Sequence, residues 1–292
     1  MLQNDRRFCI IDAESGKILT ADKLPKLVLI HPEIQTDELS PDGGVLVVNF
    51  PPESGCDNFS VPLRPSEETL SKWELVKNII LAKGYDPLDG YICQPSAAGA
   101  SSPSDILTQY IGKPAHLAYK GPMPRKIDPT YDYPDHKGDA YFQWMYPMLL
   151  LSEESMEAIL EKTRPLVGTQ GIGEKWQDRE LEVERFRPNI VFEGTDPFAE
   201  DDWQEITIGA PNAPNITLVS KCVRCLLPNV DPDTGVRDAA VPYKVIMKFR
   251  TGLDPVYQKY PCVGCYAAPE TDGVVNVGDK VYINKIRSRS SA

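Results

Sequence analysis

Short apolar runs separated by turn-forming residues recur along the chain. Phe8 to Asp12 is apolar and β-prone, Glu14-Ser15-Gly16-Lys17 has turn composition, and Ile18-Leu19-Thr20 reads as the returning strand. Leu27 to Ile30 and Val45 to Phe50 are continuous apolar runs of strand length, the pattern of buried strands. Asn58 to Leu63 alternates and predicts another strand. A hairpin-rich opening of this kind suggests a small barrel-like β domain.

Helical spacing is clearest over Ser66 to Lys83. Leu70, Trp73, Val76, Lys77, Ile80 and Leu81 approximate one stripe, and Gly84 stands where a helix C′ glycine would. That stripe reads as core packing, not as a binding face. Pro95 to Asp105 is rich in Ser, Ala, Gly and Pro and predicts a mobile loop; Gly121 to Gly138 predicts an irregular connection between two halves. Tyr146 to Leu151 follows as a buried strand, with Ser152 placed to cap a helix over Glu153 to Lys162.

Further strands are predicted at Arg187 to Val191, Trp203 to Ile208, Ile216 to Lys221, Tyr243 to Arg250, Val263 to Pro269 and Lys280 to Ile286. Val277-Gly278-Asp279 turns into the last of these, and residues 288–292 form a disordered tail. The expected architecture is a β-rich α+β protein in two units, 1–125 and 126–287.

Composition narrows the function. The 292 residues suffice for a large core, and 42 acidic against 31 basic residues give a net charge of −11. That balance argues against a nucleic-acid binder, which carries a basic face, though local patches could still dock a protein partner. No run reaches the ~18 apolar residues of a membrane span. Met1 to Arg7 is polar and unlike a signal peptide. Seven cysteines, an odd number, fit a reducing compartment better than a disulfide framework.

Candidate chemistry concentrates between Arg185 and Gly235. Arg187 offers a fork for an oxyanion, Asn189 both donates and accepts toward a polar heterocycle, and Cys225 is a soft metal ligand once deprotonated. Oxyanion, heterocycle and soft metal together describe a phosphorylated metal cofactor. A rival reading comes from Cys222-x-x-Cys225 and Cys262-x-x-Cys265, two CxxC pairs with the spacing of a structural zinc site. Asp231, Asp233 and Thr234 predict an Asx-type turn behind Cys225. Glu200, Asp201 and Asp202 read as a solvated face. His31, His116 and His136 are scattered, with no nucleophile motif beside them.

These pieces occur in a telling order. Phe186-Arg187-Pro188-Asn189-Ile190-Val191, then Ala199-Glu200-Asp201 leading to Trp203, then Arg224-Cys225 and Val230-Asp231-Pro232-Asp233-Thr234-Gly235 resemble the MOSC domain, in particular its amidoxime-reducing branch and fungal relatives. Asp5-Arg6-Arg7-Phe8, Leu24-Pro25-Lys26-Leu27, Tyr146-Pro147 with Leu149-Leu150-Leu151-Ser152, and Val277-Gly278-Asp279-Lys280 extend the resemblance over roughly Asp5 to Ile286.

The resemblance implies an amino-terminal β domain and a MOSC β-barrel with a molybdenum-pterin cofactor in the cleft between them. It implies Cys225 as the protein ligand to molybdenum, and Arg6, Arg187 and Asn189 as cofactor contacts. The implied activity is reduction of N-hydroxylated compounds, with a b-type cytochrome and an NADH-dependent reductase as electron donors. A mitochondrial association follows from the same likeness, in a chain otherwise expected to be soluble. Alternatives are a cofactor-handling module like that of molybdenum cofactor sulfurases, a zinc-stabilised binding protein, and an inactive relative. The chain departs from the family twice. Only four residues precede Asp5, where relatives carry a strand with a Pro-x-Lys-Ser motif, so a truncated start is expected ahead of a site that has lost a wall. Trp144-Met145-Tyr146 stands where animal relatives have Asp-Thr-Ser, so no proton donor carries over there.

Overall fold

A computed structural model of the chain describes residues 2–287; the tail expected at 288–292 lies outside them. The fold is β-rich, with few and short helices. In the first half, β1 (Phe8–Asp12), β2 (His31–Thr36), β3 (Gly44–Asn49) and β4 (Phe59–Pro62) are followed by the one-turn α1 (Glu67–Leu70). Then come β5 (Leu75–Ile79), β6 (Leu88–Ile92), α2 (Pro103–Ile111) and β7 (Ala115–Lys120). These make an antiparallel sheet of order β1-β7-β6-β5 and a second of order β2-β3-β4. Leu46, Val48, Phe59, Val61, Trp73, Leu107 and Tyr119 form the core between the second sheet, α2 and β7. Ile11, Ile79, Leu88, Ile92 and Phe142 form a smaller one on the other side.

The helix expected over Ser66 to Lys83 is the main correction. Ser66 does cap a helix, its hydroxyl accepting from Thr69 N at 3.2 Å, but the helix ends at Leu70 and the chain continues as β5. The supposed stripe serves two cores: Leu70 and Trp73 face the first, Val76 and Leu81 the second, which the unpredicted Ile79 completes. Ladder pairing of Val76 with Gly90 and Ile79 with Leu88 overrides the helical spacing. Gly84, at φ +96, turns the β5–β6 loop and ends no helix.

Three other expectations change. Pro25–Leu29 is a 3-10 turn, not a strand, because Pro25 sets the first turn and Lys26 Nζ is drawn to Tyr110 O at 2.7 Å. Ile18 returns against Ile11 through a single bridge. Pro103 starts a helix inside the expected loop.

In the second half, β8 (Arg125–Lys126) and β9 (Asp139–Ala140) form a short ribbon across the connection predicted as irregular. β10 (Met148–Ser152) runs into α3 (Glu153–Thr163), and Ser152 caps it as expected, accepting from Ser155 N at 3.2 Å. Then come β11 (Ile190–Phe192), β12 (Trp203–Ile208), β13 (Ile216–Val223), α4 (Tyr243–Ile246), β14 (Cys262–Pro269) and β15 (Val281–Ile286). They make one six-stranded sheet of order β11-β10-β14-β13-β12-β15. Only β10 and β11 pair in parallel, which needs the crossover that α3 supplies. Tyr243 to Arg250 is helix and turn where a strand was expected: Asn229 Oδ1 captures Tyr243 N at 3.0 Å and starts the helix. No helix among the described residues is long and apolar enough to cross a membrane.

Candidate functional site

The first wall of the site is the turn that precedes β11. A 3-10 turn over Val183–Phe186 ends at Arg187, which takes the left-handed conformation at φ 56, ψ 48. A non-glycine residue pays about 1 kcal/mol or more for that geometry, and such residues cluster at functional sites. Asn189 then closes onto β10 twice: its N–H donates to Leu149 O at 2.8 Å, and its Oδ1 accepts from Leu149 N at 2.9 Å. The remaining amide of Asn189 reaches Asp5 Oδ2 at 3.3 Å.

Asp5 is a hub. Its carboxylate accepts from Arg6 Nη1 at 2.6 and 2.7 Å, and its main-chain oxygen from Gln143 Nε2 at 3.2 Å. Arg6 is also left-handed, at φ 50. Of the two arginines on strained turns, Arg6 pairs with this carboxylate and Arg187 only feels its charge. Desolvation pushes the Arg187 guanidinium below the usual arginine range; the like charge of Arg6 adds to this, and Asp5 opposes it. Arg187 is nevertheless solvent-accessible, and it makes no side-chain hydrogen bond or ion pair among the described residues. A reachable cation with a free fork suits an anion.

The second wall begins where β13 ends. Arg224, 6% exposed, sends Nε to Val263 O at 2.8 Å and Nη1 to Phe186 O at 2.9 Å, with Phe186's ring beneath its guanidinium. Cys225 follows, with an exposed thiol. Burial pushes that thiol up; Leu227 N–H, 3.4 Å from Sγ, and Arg224 pull it down, while Asp22 and Cys222 push with burial. Asp22 comes from the first half of the chain, and Arg237 donates to its carbonyl. The segment before Pro25 therefore faces Cys225.

The loop beyond Cys225 is held as its sequence predicts. Asp231 Oδ1 accepts from Asp233 N at 3.1 Å and Thr234 N at 3.0 Å, an Asx turn. Its other oxygen pairs with Arg185 at 2.9 Å and Arg179 at 2.6 Å. Desolvation would raise this carboxyl, but Thr234 and the two arginines outweigh it and hold it well below the usual range. Arg185 is almost wholly buried, so it belongs to the frame and not to the cleft.

The remaining candidates separate. Cys222 neighbours the Tyr266 hydroxyl, and Cys265 donates to Glu200 O at 3.2 Å from within the apolar core. The two CxxC pairs do not converge as one ligand set: among the described residues no group of three or more His, Cys, Asp or Glu is placed to hold a metal ion. The acidic segment is not a solvated face throughout. Glu200 is 0% exposed and its carboxyl is pushed up to about 7 by burial, while Asp201 pairs with Arg250 at 2.7 Å. The 3-10 turn at Ala199–Asp201 tucks it against Ser155. His116 is engaged with Ser104, and His136 lies beside Tyr133. The reading of single residues missed Asp5, Asp22 and Arg224 as parts of the site. Arg224 and Asp5 adjoin motif residues, but nothing in the sequence places Asp22 by Cys225.

On a β-rich frame of two parts, Arg224 before Cys225 is bonded to Phe186 before Arg187. Residues 135–282 match the MOSC domain, and residues 1–89 match the MOSC N-terminal beta barrel domain. The chain is 34% identical over 291 residues to mitochondrial amidoxime-reducing component 1 of Xenopus laevis, covering 95% of this chain and 71% of that protein. It is 34% identical over 287 residues to mitochondrial amidoxime reducing component 2 of Bos taurus (94% and 72%) and 29% over 293 residues to that of Homo sapiens (94% and 72%). The chain belongs to the MOSC family.

Proposed function

We propose that this protein is a molybdenum-dependent reductase of N-hydroxylated compounds such as amidoximes and hydroxylamines. The observation that carries the reading is that Arg187, accessible and unpartnered among the described residues, and an accessible Cys225 each follow a residue of the Arg224–Phe186 hydrogen bond. The residues present fit a phosphorylated pterin. Arg187 has no protein partner among the described residues, Arg6 has only its neighbour Asp5, and Cys225 Sγ already receives a backbone N–H. In this reading Cys225 is the protein ligand to molybdenum, while Arg187 and Arg6 hold the anionic end of the cofactor. Asn189, whose carboxamide is committed to Leu149 and Asp5, props the arginine pair and presents the polar edge beside it.

Bound there, the molybdenum-pterin group supplies two-electron reduction of an N–O bond. The chain supplies the rest. Arg187 neutralises the phosphate, and the Leu227 N–H favours the thiolate form that a metal requires. The Cys225 proton is released on metal binding, so loading weakens as the pH falls. Electrons come from outside, by a b-type cytochrome and an NADH-dependent reductase, as the resemblance of the motifs to the family implies. The division into units 1–125 and 126–287 belongs to the same proposal.

The test is molybdenum and pterin content of protein made in a molybdenum-replete host. Wild type is expected to carry stoichiometric molybdenum with fluorescent pterin and to reduce benzamidoxime, and Cys225→Ser to lose metal and activity. Wild type without either component, or Cys225→Ser with full metal, overturns the reading.

A further inference from the structure

Away from the arginine pair, the ribbon strand β8 holds a third arginine in an unusual state. Arg125 is 5% exposed, and its Nη2 donates to Trp144 O at 2.9 Å. Its Nε and Nη1 have no hydrogen-bond partner, and no carboxylate among the described residues lies within ion-pair distance. Buried charges in folded proteins are paired, because an isolated one forfeits its hydration without return. Here a ring takes the place of a counter-ion: the guanidinium lies over Tyr85 at 5.5 Å. Burial pushes Arg125 below the usual arginine range, with Tyr85 and Asp128 only partly opposing it. Two buried donors are therefore left without an acceptor.

The surroundings are aromatic and open on one side. Tyr85, part-exposed on the β5–β6 loop, meets the Trp144 ring at 6.4 Å. Trp144 is 50% exposed and Tyr257 45%. Tyr257 is fixed by Asp254, whose carboxylate accepts its N–H at 2.7 Å, and it lies close enough to Tyr85 and Tyr146 to oppose the ionisation of each. Tyr146 packs against Tyr266 at 5.6 Å, and Tyr266 neighbours Cys222, three residues before Cys225. The patch thus joins the thiol wall through two rings. Tyr85, itself part-exposed, lies over the Arg125 guanidinium from the β5–β6 loop.

We infer that Arg125, with Tyr85, Trp144 and Tyr257, forms a subsite for an aromatic ring bearing a carboxylate. The ring stacks on the aromatic walls and the carboxylate takes the two free donors of Arg125. Joined to the reductase reading, on which only the turnover part rests, this makes N-hydroxylated amidines of aryl carboxylic acids preferred over uncharged ones.

Calorimetric titration of the holoprotein with benzamidoxime and with its 4-carboxylate separates the possibilities. At low salt the carboxylate is expected to bind at least ~10-fold more tightly, the effect of one charge-assisted hydrogen bond. The preference is expected to vanish in Arg125→Gln and to return in part in Arg125→Lys. Should Arg125→Gln fail to fold, Tyr257→Leu, at an exposed ring, is expected to weaken both ligands alike and leave the preference standing. Equal affinity of wild type for the two ligands, or a preference that survives in Arg125→Gln, overturns the inference. Selective binding without reduction of either compound sinks the reductase reading and leaves the subsite; reduction of both without selectivity does the reverse.

Discussion

Arg224 Nη1 donates to the carbonyl of Phe186 at 2.9 Å, and this bond joins the residue before Cys225 to the residue before Arg187. The same guanidinium holds Val263 O on β14, so three segments meet on one buried side chain. Arg224→Met leaves both carbonyls buried without a donor. A loss of about 2–5 kcal/mol in urea unfolding is expected, since an orphaned buried group costs ~1–3 kcal/mol. A loss below about 1 kcal/mol would mean that the two walls are held by something else.

Asp231 gives the frame its acid sensitivity. Its folded-state acidity is far greater than the usual carboxylate value near 3.9, so its contribution is present above about pH 4 and disappears as the pH falls below it. Asp231→Asn is expected to cost about 3 kcal/mol at pH 7, because Arg185 stays buried with only Glu182 beside it, and to flatten the acid limb. Urea midpoints from pH 3 to 7 would show both effects; parallel curves for the two proteins would contradict them.

Glu200 acts in the opposite sense. Burial raises its carboxyl to about 7, so the folded chain keeps a proton that the unfolded chain releases near 4.3. Its contribution is complete in acid and is lost as the pH rises through 7. Glu200→Gln, which keeps the neutral shape, is expected to gain on wild type by on the order of 3 kcal/mol between pH 5 and 8. Thermal unfolding at those two pH values is sufficient to check it.

Thiol accessibility distinguishes Cys225 from its neighbours. It is exposed, whereas Cys222, Cys262 and Cys265 are buried. In metal-free native protein, mass-mapped alkylation is expected to modify Cys225 well before those three, with cofactor loading suppressing the reaction. Equal rates at all four would show that the sheet opens readily around β14.

Strand ends and turn chemistry were the most legible parts. The Asx turn at Asp231 and the cap at Ser152 are local, so a few residues determine them, and both appear as expected. Trp203–Ile208 is found with the bounds read from its pattern. Ser66 to Lys83 failed because an apolar spacing that suits a helix also suits two strand-side contacts with different cores, and only the partner β6 decides between them. Arg6 and Asn189 both bond to Asp5, but sequence patterns do not encode that Asp5 is the hub, since its partners lie up to 184 positions away. Glu200 was misjudged for a related reason: an acidic run resembles a surface until a tight turn folds one member inward.

The order of strands has a consequence for how the protein is made. β14 is the sole antiparallel neighbour of β10 and also the neighbour of β13, yet it is synthesised after both. Until residue 269 has left the ribosome, the sheet is two unconnected halves, and Arg224 has no Val263 carbonyl to grip. Cys225 is therefore unplaced throughout most of translation. Whatever binds beside Cys225 would therefore meet it in place only after β14 has joined the two halves of the sheet.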